Sequence, residues 1–132
     1  MKKLLLLVGC LFSLNVFAYS ANELRDDCQA AEEFYMQKKG DPYQSIKVAR
    51  CISYVAGFAD GYGVADYLAE RVGIRLNAIC PPSDGDLAYR LVRAVLAHLD
   101  RMPPNTTTST ATIVASALAK SFPCTDAVDG KK

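Results

Sequence analysis

The sequence predicts an all-α fold, a small disulfide-stabilised bundle of about four helices, and three observations carry that expectation. Apolar residues recur at helical spacing in four successive segments, with little of the every-second-residue alternation that marks strands. Glycine, proline and short polar runs separate the segments. An even set of four cysteines is spread through the last hundred or so residues, as in small exported domains whose cores need covalent support. At 132 residues and 51% hydrophobic composition, the chain has the size and apolar content for one packed core. A formal charge of +1 argues against a polybasic nucleic-acid binder, which needs clustered positive charge to neutralise phosphates.

The amino terminus reads as a secretory leader. Met1, Lys2 and Lys3 form a basic start, Leu4 to Phe12 is an almost unbroken apolar run, and Val16-Phe17-Ala18 suits a cleavage site. Residues 1–18 are therefore expected to be a signal peptide of bacterial type, with the mature domain spanning 19–132 and its core about 22–124. Loss of Lys2 and Lys3 takes the formal charge from +1 to −1. No later stretch approaches the roughly 18 consecutive apolar residues of a membrane span, so the expected location is the periplasm. Leu7-Val8-Gly9-Cys10 offers a competing reading as a lipoprotein box with Cys10 lipidated, at odds with the short apolar segment before that cysteine.

From Asn22 to about Lys39, Leu24, Cys28, Ala31, Phe34 and Tyr35 form an amphipathic stripe, with Asp26, Asp27, Glu32 and Glu33 distributed around it. Gly40-Asp41-Pro42 breaks the pattern. Tyr43 to about Val72 sets Val48, Cys51, Tyr54, Val55, Phe58, Tyr62, Ala65 and Leu68 along one broad face. Gly57, Gly61 and Gly63 each cost this helix up to about 1 kcal/mol relative to alanine. Close approach of a neighbouring helix would offset them, a bend near residues 61–63 being the alternative. After a connection ending at Cys80-Pro81-Pro82, Ser83 and Asp86 resemble a helix-start box. Leu87, Leu91, Val92, Val95, Leu99 and Met102 then make a third stripe, stopped by Pro103-Pro104. After a polar loop, Ala111, Val114, Ala115, Leu118, Ala119 and Phe122 form the fourth, stopped by Pro123.

Short links suggest up-and-down order, and this suggests disulfide partners. Residues facing each other across an antiparallel pair average to the turn between them. Positions 28 and 51 average to the Gly40-Asp41-Pro42 break, so Cys28 is paired with Cys51. Cys80 precedes the third helix and Cys124 follows the fourth, which puts both at one end. Sequence alone permits three connectivities.

Little in the chain supports catalysis. Zinc ligands come in close pairs, whereas these cysteines are tens of residues apart and the single histidine is His98. Asp60 and Asp66 lie six residues apart, far around a helix, and read as solvated charges. His98 has no carboxylate three or four positions away. Gly61-Tyr62-Gly63 is too short for a phosphate-binding loop, and no cofactor is implied. Asn105-Thr106-Thr107 fits a glycosylation pattern that a bacterial leader makes irrelevant.

Cys51-Ile52-Ser53-Tyr54-Val55-Ala56-Gly57-Phe58 with Asp60-Gly61, then Ile79-Cys80-Pro81, then Ala117-Leu118-Ala119-Lys120-Ser121-Phe122-Pro123-Cys124, resemble the Tai/Rap family of type VI secretion immunity proteins. The resemblance covers roughly Cys28 to Cys124. It implies a small, exported, helical protein, typically a homodimer, that binds a peptidoglycan-cleaving amidase effector and blocks its catalytic groove without chemistry of its own. Independently, a rigid cross-linked bundle loses little freedom on docking, which favours a binding role. Two surfaces are expected to meet a partner, residues 71–86 and residues 101–109. Within and beside them Tyr67, Arg71, Arg75 and Arg101 are the residue types that anchor interfaces, and Asn105 with Thr106 lies in the second. A periplasmic acid-stress chaperone is the alternative, and an envelope enzyme a third, for which no nucleophile and base can be assembled.

Overall fold

A computed structural model describes residues 19–37, 45–83 and 85–125. The expected leader with Cys10, the Gly40-Asp41-Pro42 break and the tail from residue 126 lie outside them. Within them are four helices: α1 (Ala21–Gln37), α2 (Ile46–Glu70), α3 (Leu87–Leu99) and α4 (Thr110–Ser121). None of these helices is long and apolar enough to cross a membrane.

Each start has a local cause. The Ser20 hydroxyl accepts the Glu23 amide at 3.2 Å while the Glu23 carboxylate accepts the Ser20 amide at 2.9 Å, a reciprocal cap that begins α1. Asp86 itself caps α3 by accepting the Tyr89 amide, so the expected box led by Ser83 is corrected by three residues. Ser109 caps α4 through the Thr112 amide. The third helix ends at Leu99, ahead of Pro103-Pro104, because the amides of Arg101 and Met102 turn back tightly onto His98 and Leu99.

The core joins Leu24, Cys28 and Ala31 of α1 to Val48, Cys51 and Val55 of α2, with Leu91, Val92, Val95 and Leu99 of α3 and Ile113, Val114, Ala117 and Leu118 of α4. The fourth stripe is rotated from the one expected: Ile113 and Ala117 are buried, and Ala111 faces outward. The α2 stripe stops early. At 25 residues α2 is roughly 37 Å long, about twice α3 or α4, so its last turns outrun the bundle and leave Ala65 and Leu68 exposed. Among the described residues, a Cβ built on Gly57, Gly61 or Gly63 would meet nothing within 4 Å, and α2 continues unbroken through all three. Close approach of another described helix therefore does not account for these glycines.

Among the described residues Cys28–Cys51 and Cys80–Cys124 form disulfides, as the sequence suggested. The up-and-down order is not observed. Arg25 pairs with Asp100 at 3.1 Å, Glu32 with Arg93 at 3.0 Å, and the Tyr35 and Tyr89 rings lie 5.2 Å apart, so α1 and α3 are antiparallel rather than parallel. The cause is the α2–α3 connection, which folds back along α2 before α3 begins. The second disulfide survives this change because it depends only on the α3/α4 hairpin: Cys80 donates its amide to the Phe122 carbonyl, and Arg90 of α3 covers the Phe122 ring.

Candidate functional site

The projecting end of α2 and the chain after it form a pinned apolar surface. Val64, Tyr67, Leu68, Val72, Ile74 and Leu76 are all between 41% and 73% exposed, a concentration of large apolar side chains that solvent alone does not favour. Gly73, at φ +79°, ends α2, and the amides of Gly73 and Ile74 donate to the Glu70 and Ala69 carbonyls. Beyond it, alternate amides return to α2. Leu76 donates to the Asp66 carboxylate at 3.0 Å and Ala78 to the Tyr62 hydroxyl at 2.8 Å, which also accepts from Ile79 at 3.3 Å. Ile79 then enters the core and Cys80 ties the segment to Cys124.

Tyr67, Arg71 and Arg75 come together on this surface. The Arg71 guanidinium lies over the Tyr67 ring at 5.9 Å, and Arg75 approaches Glu70 at 3.8 Å beside a depression lined by Glu70, Gly73 and Arg75. Arg101, Asn105 and Thr106 occupy the α3–α4 loop, which packs on the start of α1. Asn105 adopts φ +61° and accepts from Asn22 at 3.5 Å, while Thr106 bonds Thr108. Arg101 is exposed. The Thr110 hydroxyl donates to the Tyr19 carbonyl, fastening this loop to the first described residue.

A second polar cluster escaped the sequence reading. Asp27 is only 1% exposed on the core side of α1, and its carboxylate accepts from the Tyr19 hydroxyl and from Arg50, each at 2.7 Å. Burial, then the bond to Asp27, holds the Tyr19 phenol well above its ordinary range. Arg50 also covers the Tyr19 ring at 5.2 Å, and Tyr54 meets that ring edge-on. Outside this pair lies an open cleft of about 440 Å³ lined by Tyr19, Glu23, Arg50 and Tyr54. The cluster was partly legible, since Asp27 lies at the helical spacing of Leu24, Cys28 and Ala31. Asp66 and Tyr62 carried no comparable signal.

All four described cysteines are spent in disulfides, so none is a thiolate nucleophile or metal ligand. Among the described residues no group of three His, Cys, Asp or Glu side chains is placed to hold a metal ion.

Comparison with known proteins gave no match among curated proteins or solved structures. A family model described as Rap1a immunity proteins matches residues 20–124, from the α1 cap to the last cysteine. With most of its length matched, including all four helices and both disulfides, the chain belongs to the Rap1a immunity protein family.

Proposed function

We propose that this chain is a periplasmic immunity protein that binds a peptidoglycan amidase delivered by type VI secretion and covers its catalytic groove. Membership of the immunity family supports a toxic effector as partner. The observation that carries the docking site is the exposed apolar surface of α2 and residues 72–76, held in one shape by hydrogen bonds and a disulfide. Such a surface supplies apolar contact with little ordering cost, and Tyr67, Arg71 and Arg75 beside it supply polar and aromatic anchors. Arg101, Asn105 and Thr106 form a second, more polar contact region. The protein acts by occlusion rather than by catalysis.

The two disulfides fit an oxidising compartment reached through the leader at residues 1–18. We also propose a homodimer, for which the Gly57/Gly61 side of α2 is the contact, since among the described residues nothing lies within 4 Å of a Cβ built on either glycine. The test is inhibition of cell-wall hydrolysis by a panel of purified type VI amidase effectors. Stoichiometric loss of activity with one member, and a stable complex on gel filtration, is the expected result. Absence of binding to every amidase, or cell-wall hydrolysis by the chain itself, would overturn the proposal.

A further inference from the structure

The geometry points to Tyr62 and Asp66 as positioning residues that pre-shape the segment 74–79 for docking, an inference that rests on the function proposed above. The segment is irregular rather than extended, with Asn77 at φ +47° and the consecutive amides of Ala78 and Ile79 both donating to the Tyr62 hydroxyl. Here the amides of Ile74, Leu76 and Ala78 all turn toward α2, where they meet Ala69, Asp66 and Tyr62 in reverse order. Those acceptors are spaced three and four residues apart, the interval that aligns positions on one helix face. The result is a ladder between an irregular segment and a helix, two of whose three acceptors are side chains. Ordinary loop packing does not require this. Residues 71–78 are exposed, so apolar burial contributes little to holding the segment, and these bonds act alongside the entry of Ile79 into the core and the Cys80–Cys124 tie.

Tyr62 and Asp66 point their polar atoms at the loop. Their effect is to keep Ile74 and Leu76 presented outward in one arrangement, so that ordering is complete before the encounter. Without the acceptors, the amides of the exposed residues 76 and 78 can turn to water at little local cost, while that of Ile79 keeps the buried position of its side chain. The segment then samples many shapes, and the loss appears in binding rather than in global stability.

The test uses full-length mature protein with Tyr62→Phe, Asp66→Ala and Asp66→Asn. Phenylalanine keeps the ring and removes only the acceptor, and asparagine keeps an acceptor oxygen while removing the charge. Amide hydrogen exchange on the free protein should accelerate about tenfold at Ala78 in Tyr62→Phe and at Leu76 in Asp66→Ala, with melting temperature little changed and Asp66→Asn close to the parent. Dissociation from whichever purified amidase effector the parent binds should accelerate about tenfold in the same two variants, again with recovery by asparagine. Unchanged exchange in both variants would refute the ladder as a clamp. Faster exchange with unchanged dissociation would refute its positioning role. If the parent binds no amidase the functional proposal fails, while the exchange measurement still decides the clamp.

Discussion

Removing the two disulfides one at a time separates two sources of stability that the structure sets against each other. Chain-entropy arguments scale with the residues enclosed. Closing a sequence separation of 23 between Cys28 and Cys51 is worth about 3.4 kcal/mol, and closing 44 between Cys80 and Cys124 about 4.0 kcal/mol. By entropy alone the second bridge matters more, by about 0.6 kcal/mol. Packing reverses the order. Cys28 and Cys51 are fully buried in the α1/α2 seam, whereas Cys80 is exposed and Cys124 half-buried. Trimming two core sulfurs leaves a small void worth about 1–2 kcal/mol, so Cys28→Ala/Cys51→Ala should cost about 4.4–5.4 kcal/mol against about 4 for Cys80→Ala/Cys124→Ala. Guanidinium unfolding followed by circular dichroism measures both, with midpoint and slope fitted separately because an uncrosslinked denatured state exposes more surface. If the Cys80/Cys124 variant proves the less stable, the packing argument is wrong. If neither variant loses more than about 1 kcal/mol, the loop-entropy argument is.

Four further outcomes are expected. Arg50→Ala should destabilise more than Asp27→Ala in thermal melts, although Arg50 is the more exposed partner, because a freed guanidinium returns to water and a stranded buried carboxylate cannot. Burial, then the charges of Lys120 and Arg101, holds His98 below its ordinary value of 6.5, and its buried Nδ1 has no hydrogen-bond partner among the described residues. The unfolded chain therefore takes up this proton first, stability falls as pH drops below about 6.5 toward the lower folded value, and His98→Gln should flatten that part of a urea-midpoint profile. Ile74→Glu and Leu76→Glu should shift stability by no more than about 0.5 kcal/mol yet weaken effector binding by about 2 kcal/mol in calorimetry. Gly57→Ala and Gly61→Ala should each stabilise the monomer by about 0.5–1 kcal/mol, while sedimentation should show weaker self-association if that face is the dimer contact.

The Asp27–Arg50 pair shows where reading the sequence stopped short. Asp27 precedes Cys28 and Arg50 precedes Cys51, so the disulfide inferred from the turn already implied the ion pair beside it. Its burial on the apolar stripe was legible as well, but a carboxylate among Asp26, Glu32 and Glu33 looked like part of a solvated face. Tyr62 and Asp66 are different. Nothing in Gly61-Tyr62-Gly63-Val64-Ala65-Asp66 announces that two side chains accept amides from a segment ten to seventeen residues later. Such bonds depend on the direction the chain takes after Gly73.

The four helices and their approximate limits were determined by local pattern, and the cysteine pairing followed once helices adjacent in sequence were taken as hairpins. Period, caps and turn residues act within a few positions of one another, and both disulfides follow from adjacent hairpins. The sense in which α3 runs, the exposure of the last turns of α2 and the open space that the described residues leave around its glycines were decided only by tertiary structure. A helix stripe records which face is apolar, and the neighbours that happen to reach along it determine whether that face meets a core or open water.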